Sequence, residues 1–244
     1  KIINFMKNKK KIDYNLSFKG KTVLVTGSSR GIGFKISEDF KYLGAKVIGL
    51  SSKDYDLSSD YELTKLINYI KKIKKIDILV NNAGVNFSEE NKNFSINKYE
   101  KLMNVNLKAP FLITQAVTKK MIKYKYGRII NISSILSERV RVGKSAYSSS
   151  KFGLVGFTKT LSVELAKYNI LVNSISPGLI ETEMTKSMLT KQQIKKFRKE
   201  IPLKRLGKTE DVSSAVIYLS SDINQFITGH NLVVDGGLLN YLNV

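Results

Sequence analysis

The sequence predicts an α/β fold in which one doubly wound parallel β-sheet is flanked by helices. Short apolar runs alternate with segments whose apolar residues recur at helical spacing. A glycine cluster, Thr26-Gly27-Ser28-Ser29-Arg30-Gly31-Ile32-Gly33, follows the first of these runs. With 244 residues, 42% of them hydrophobic and 25% charged, the chain is long enough and apolar enough for a single large core.

Taken in order, residues 21–26 (KTVLVT) are a short β-branched run and the expected first strand. Residues 31–43 follow as a helix and 46–51 as the second strand. A helix is expected over 60–73, a strand over 76–81, and one long helix from about Asn97 to Lys123. Then come a strand at 127–133, a helix at 145–166 and a strand at 170–176. Residues 182–199 read as an exposed helix, and Thr209 is expected to cap a helix reaching about Ser220. Residues 231–237 close as a last strand and turn. One interval does not fit a complete dinucleotide-binding sheet. Only a couple of residues separate the second strand from Asp54–Ser59, whereas a parallel crossover takes about a dozen or more. The usual second helix of a Rossmann-type sheet is therefore expected to be shortened or missing. The third strand is either missing too or replaced by an irregular segment. The expected division is a basic N-terminal extension, 1–17, and one domain, 18–244.

Composition excludes several chemistries. The chain has no cysteine, which rules out disulfides, thiolate metal sites and a cysteine nucleophile. His230 is the single histidine, so neither a histidine triad nor a histidine metal cluster can form. It reads as a strand-edge residue, and Asp235-Gly236-Gly237 as a turn rather than a metal loop. No metal site is expected. No run approaches the roughly 20 apolar residues that span a bilayer, and the N-terminus has no apolar stretch of signal-peptide length. A cytoplasmic protein with no membrane partner is expected, with organelle targeting left open because the chain begins at Lys1. The formal net charge is +21. The lysines are spread along the chain, and the pieces 119–125 and 191–199 read as solvated helix faces, so no nucleic-acid partner is expected. A basic surface does suit an anionic substrate or an acidic carrier.

The motifs carry more specific chemistry. After a strand and at the start of a helix, Gly27 permits a tight turn, while Gly31 and Gly33 remove side chains where a pyrophosphate would approach. Unpaired helix N–H groups and their partial positive charge would hold it. Asn81-Asn82-Ala83-Gly84 ends another strand, at the edge where open parallel sheets bind ligands. Ser134 directly follows the strand at 127–133, and Tyr147 and Lys151 share one helix face. A tyrosine acting as acid or base must ionise, from a reference pKa of about 10. A neighbouring ammonium and a cationic nicotinamide would lower that value. Tyr42/Lys46 and Tyr61/Lys65 have the same spacing, but neither pair is expected near a ligand-binding edge of the sheet.

Together and in this order, Thr26-Gly27, Gly31-Ile32-Gly33, Asn81-Asn82-Ala83-Gly84, Ser134, Tyr147, Lys151 and Pro177-Gly178 resemble the short-chain dehydrogenase/reductase family over about residues 18–240. The resemblance implies that Tyr147 is the acid/base. Lys151 would lower its pKa and bind the nicotinamide ribose, and Ser134 would orient the carbonyl. Asn106 would complete the tetrad through a water relay to Lys151. It implies cofactor contacts from Gly27, Ser29, Arg30, Gly31, Ile32, Gly33, Asn82, Ala83, Gly84, Pro177, Gly178, Ile180 and Thr182, and from Asp56 and Leu57 at the adenine. The end of the second strand reads Ser51-Ser52-Lys53, where members preferring NAD usually carry an acid. Ser52, Lys53 and Arg30 would therefore surround a 2′-phosphate, and NADP(H) is favoured. NAD(H) is the alternative, because Asp54 or Asp56 could reach the ribose.

Within the family, the segments 127–134, 146–159 and 177–185 are most similar to 3-oxoacyl-(acyl-carrier-protein) reductases of fatty-acid biosynthesis. That group's two basic carrier-docking positions fall on Lys125 and Tyr168. The short second-strand loop also resembles relatives from sugar and polysaccharide biosynthesis. The expected substrate is thus a small-molecule or carrier-linked anionic carbonyl compound. A sugar, nucleotide-sugar or polyol is the alternative, and a non-catalytic cofactor-binding protein the third reading. Residues 85–95, 135–145 and 180–205 would form the pocket, with Arg139, Arg141 and Lys144 facing a phosphate or carboxylate. Family resemblance implies a homotetramer or homodimer, and the apolar end 238–244 suits either an interface or packing on its own subunit.

Overall fold

The computed structural model of the protein describes residues 16–241. Of the expected extension 1–17, all but Leu16 and Ser17 lie outside the described residues, as do residues 242–244 of the apolar end. Six parallel strands, β1 (Thr22–Thr26), β2 (Lys46–Leu50), β3 (Ile78–Asn81), β4 (Gly127–Ile132), β5 (Ile170–Pro177) and β6 (Asn231–Val234), form one sheet in the order β2-β1-β3-β4-β5-β6. Alternation along the strands gives each face its own core. Val23, Val25, Ile78, Val80, Ile130 and Ile132 point to one side. They meet helices α1 (Gly31–Tyr42) and α8 (Thr209–Ser220) through Ile36, Phe40, Val212 and Val216. Leu24, Leu79, Ile129 and Val172 point to the other side. There they meet α2 (Asp60–Lys72) and α4 (Ala109–Tyr124) through Leu66, Ile70, Ile113 and Val117.

The interval after β2 resolves the question of the missing elements. The chain runs through residues 51–59 directly into α2, whose cap is Ser59, and then crosses back to β3. Among the described residues no strand and no additional helix lies between Leu50 and Asp60, so β2 is the sheet edge. The reversal of direction occurs between β1 and β3, which are direct neighbours in register from Val23–Ile78 to Val25–Val80. Ligands of doubly wound sheets bind at the carboxyl ends of the strands flanking such a switch point.

Three local expectations are corrected. The long helix expected from Asn97 to Lys123 is broken. Helix α3 (Ile96–Met103) is followed by a π-helical turn, Asn104–Lys108, before α4 begins. Pro110 explains the break in part. It has no N–H to offer the Asn106 carbonyl four residues earlier or the Val105 carbonyl five earlier. Residues 182–199 form two short helices, α6 (Glu183–Met188) and α7 (Lys191–Glu200), each with its own threonine cap, Thr182 and Thr190. Helix α8 is capped at Lys208, not Thr209, and the Asp211 carboxylate accepts from the Lys208 N–H at 2.7 Å. Leu238, from the apolar end, is buried on its own subunit beside Ile135, Ile201 and Leu206.

Candidate active site

The loop between β1 and α1 is held from two sides. Ser28 N and Oγ both donate to the Leu50 carbonyl, at 3.0 and 3.2 Å, which ties the loop to β2. Asn82 Nδ2 donates to the carbonyls of Thr26 and Gly27, at 2.9 and 3.1 Å, which ties it to β3. Thr26 Oγ1 accepts from the N–H groups of Asn82 and Ala83, both at 3.0 Å. Backbone packing is close enough that a Cβ on Gly27, which has φ +68°, would sit 2.9 Å from Ala83 Cα. A Cβ on Gly33 would collide with the Gly27 carbonyl and Asn82 Nδ2. Arg30 occupies the cap position of α1 without a side-chain bond to the helix, and the first turn of α1 carries no acid. The first N–H groups of α1 therefore face the cleft with a positive partial charge and no protein anion of their own helix. That donor set fits a pyrophosphate.

A cleft of about 730 Å³ runs from this loop along the carboxyl edge of the sheet. Gly27, Ser29, Arg30, Gly31, Ile32 and Gly33 line one end, with Ser52, Asp56, Leu57, Asn82, Ala83 and Gly84. Further along, Ser134, Tyr147, Lys151, Pro177, Gly178, Ile180 and Thr182 line it. Lys53 and Asp54 are not among the lining residues. The Asp54 carboxylate closes the turn by accepting from Ser51 N and Oγ at 2.8 and 2.7 Å. Arg30 does line the cleft and pairs with Glu183, the first residue of α6, at 3.5 Å. His230 is exposed outside the cleft, with its N–H on Asn173 Oδ1 at 3.0 Å. Tyr55, which sequence motifs did not single out, lines the cleft and stacks on Tyr69 with ring centroids 6.2 Å apart.

Ser134, Tyr147, Lys151 and Asn106 converge from three elements. Ser134 follows β4, and its hydroxyl accepts from Leu136 N at 3.2 Å. Tyr147 and Lys151 lie on successive turns of α5 (Ser145–Leu165). Lys151 is buried, donates to the Ile132 carbonyl at 2.8 Å, and stands 5.7 Å from the centre of the Tyr147 ring. Burial pushes Lys151 down to about 8. Burial pushes the Tyr147 phenol up, and its hydrogen bond with the Ser134 hydroxyl pulls it partly back. Asn106 lies in the π-turn and is wholly buried. Its Oδ1 accepts from Val85 N at 2.9 Å, and its Nδ2 donates to the Val85 carbonyl at 2.9 Å and Ser150 Oγ at 3.2 Å. Asn106 thereby clamps the segment after Gly84 onto α5, between the glycine loop and Lys151.

Beyond Tyr147 the cleft is lined by residues from 135–144 and 179–200. Of the segment 85–95, only Val85 and Asn86 line it. Leu136, Val140, Met184, Met188, Leu189 and Phe197 supply apolar surface. Arg139, Arg141 and Lys144 supply charge. Lys144 caps α5 and is only 3% exposed, with Nζ donating to Asn86 Oδ1 at 2.8 Å and to the Phe87 carbonyl at 3.1 Å. Burial and the neighbouring Arg141 charge push it down to about 8.

A family model described as enoyl-(acyl carrier protein) reductase matches residues 49–239. The chain is 39% identical to the 3-oxoacyl-(acyl-carrier-protein) reductase of Aquifex aeolicus, over 91% of this chain and 99% of that protein. Among solved structures, a gluconate 5-dehydrogenase from Burkholderia cenocepacia in complex with NADP and tartrate superposes with a TM-score of 0.86. It is 28% identical, over 93% of this chain and 98% of that one. A 4-hydroxyisoleucine dehydrogenase complexed with NADH also gives 0.86, at 32% identity over 91% and 100%.

Proposed function

The chain belongs to the short-chain dehydrogenase/reductase family, and from that premise we propose that it reduces the ketone of a 3-oxoacyl thioester to the alcohol. It is an oxidoreductase acting between CH–OH and C=O groups with a nicotinamide cofactor. The substrate assignment is supported by the 39% identity to a 3-oxoacyl-(acyl-carrier-protein) reductase over nearly all of both chains. The mechanistic assignment rests on one observation. Ser134, Tyr147 and Lys151 line the same cleft as the glycine loop.

The reduced nicotinamide, when bound, supplies the hydride to the carbonyl carbon. Gly27, Ser29, Gly31 and the N-terminus of α1 would hold the pyrophosphate, and Asp56, Leu57, Asn82 and Ala83 would line the adenosine. The Ser134 hydroxyl holds the substrate oxygen. The Tyr147 O–H donates its proton to that oxygen as the C–O bond becomes single. Lys151, fixed on the Ile132 carbonyl, offers a buried positive charge that stabilises the phenolate left behind. Asn106 is a positioning residue, holding the Val85 backbone and Ser150 in place around Lys151. NADPH is the preferred reductant in this reading, because Arg30 and Lys101 both line the cleft, and the Asp56 carboxylate accepts from Ser58 N and Oγ at 2.9 and 2.7 Å. The half-exposed Phe111 and Phe152 on the neighbouring helices α4 and α5 support a homotetramer or homodimer.

Mixing the protein with acetoacetyl-coenzyme A and NADPH, and following loss of reduced-nicotinamide absorbance, tests the reading. Oxidation that disappears in Tyr147→Phe is the expected result. Clear NADPH binding without oxidation would move the assignment to a sugar or polyol substrate. The likeness to a gluconate 5-dehydrogenase structure favours that second reading.

A further inference from the structure

The substrate end of the cleft holds three cations that the proton-transfer chemistry does not use. Lys144 is the deepest of them. Its two hydrogen bonds go to neutral acceptors, Asn86 Oδ1 and the Phe87 carbonyl, so an ammonium with three donors keeps one N–H uncommitted. Arg139 donates to the Leu238 carbonyl at 3.4 Å, and Arg141 lies 5.4 Å over the Phe197 ring. Among the described residues, none of these three cations forms an ion pair. The acids lining this end are Glu183, which is engaged with Arg30, and Glu200 at the end of α7. Burying an ammonium without a counter-charge, beside a second cation, is costly unless an anion arrives to share it.

We propose that Lys144 and Arg141, with Arg139 at the rim, form an oxyanion subsite that seats a carboxylate or phosphate group of the substrate while its ketone lies at Ser134 and Tyr147. The inference rests on the carbonyl-reducing reading of the cleft and names a chemical class for its substrate. Position supports it. Lys144 caps α5 three residues before Tyr147, about 4.5 Å along the helix axis, and both line the same cleft. Arg141 and Arg139 are exposed where Lys144 is buried, so they are open to a phosphate on a longer arm. The N-terminus of α5 adds partial positive charge to the inner position. The two segments that build the subsite are also joined, since Glu89 N donates to the Gly143 carbonyl at 3.0 Å.

The test compares three 3-oxo substrates with NADPH: acetoacetate, acetoacetyl-coenzyme A and the neutral ethyl acetoacetate. In Lys144→Gln, which keeps a donor for Asn86 and Phe87, the kcat/KM ratio of acetoacetate to ethyl acetoacetate should fall by about tenfold. In Arg141→Gln, an exposed position whose replacement leaves the fold intact, the ratio of acetoacetyl-coenzyme A to ethyl acetoacetate should fall similarly. A fall confined to acetoacetate assigns the subsite to a carboxylate near the ketone, and one confined to the thioester assigns it to a distant phosphate. Unchanged ratios in both variants would overturn the proposal and leave Lys144 as a pin for the loop. If the unmodified protein turns over none of the three, the thioester reading has failed, and calorimetric titration of malonate into protein saturated with NADP+ decides the subsite separately. Binding that weakens about tenfold in either variant upholds it, while absent binding or equal binding by all three proteins overturns it.

Discussion

At one end of the cleft, Gly27, Gly31 and Gly33 face Asn82, Ala83 and Thr182 with almost no side-chain bulk. At the other, Arg139, Arg141, Lys144, Met184 and Phe197 project from short elements and connecting segments. The first end is backbone against backbone, held by Thr26, Ser28 and Asn82, and it tolerates little change. The second is built from long side chains on pieces that pack by a few apolar contacts, such as Ile135, Ile201 and Leu206. Rigidity at the cofactor end and adaptable surface at the substrate end let one scaffold keep its redox chemistry while the compound it accepts varies.

The contrast can be broken most severely at the junction of the two ends. Tyr147→Phe should lower turnover by about 10²- to 10⁴-fold, the usual contribution of a general acid, while nicotinamide fluorescence still reports cofactor binding. Loss of binding along with turnover would mean that Tyr147 is needed to build the cleft. At the cofactor end, Gly33→Ala forces a methyl against the Gly27 carbonyl and Asn82. It should destabilise the fold by about 1–3 kcal/mol and weaken cofactor binding, both readable from a thermal melt with and without NADPH. An unchanged melt would show that the loop has room to relax.

A pH profile sharpens the comparison. Lys151 is pushed down to about 8 and Tyr147 up. Reduction needs a charged Lys151 and a protonated Tyr147, so kcat/KM should be level below pH 8 and fall above it, by up to about tenfold per pH unit. Stability moves the other way. Because the folded-state value of Lys151 lies below its ordinary 10.5, the unfolded chain binds more protons between about pH 8 and 10.5. Wild type should therefore gain stability relative to Lys151→Met as pH rises through that window. Equal stability profiles for the two proteins would show that the ammonium is not desolvated. Smaller effects belong to the adenosine end. Arg30→Ala should reduce the preference for NADPH over NADH by about tenfold, the value of one charge-assisted hydrogen bond. Lys53→Ala, outside the cleft, should change that preference by less than about twofold, in keeping with an exposed charge. Matched titrations with both cofactors separate the two, and a larger effect from Lys53 would mean that the 51–54 turn rearranges on binding.

Most of the scaffold could be read from periodicity. The β-branched run at 22–26, the buried run at 127–132 and the apolar spacing of 60–72 each form the expected element, because local propensity and burial agree there. The π-turn at Asn104–Lys108 was not legible as such, since its residues continue a helical pattern. Only a proline four residues after a buried asparagine marks it. Lys53 looked like a phosphate ligand by position, but the Ser51–Asp54 hydrogen bonds decide how that turn closes. Tyr55 was missed because a loop tyrosine has no periodic signature.

The parallel α/β class, the shortened second crossover and the order of the reactive residues are legible in the chain alone. Those features depend on local chemistry: strand propensity, glycine conformation and the spacing of Tyr147 and Lys151 on one helix. Three facts come from packing instead: no strand lies between β2 and β3 along the chain, Asn106 clamps Val85 and Ser150, and Lys144 is buried on Asn86 and Phe87 with no ion pair among the described residues. Those facts depend on which segments meet in space. Residues 86 and 144 become neighbours only after the sheet brings the ends of β3 and β4 together.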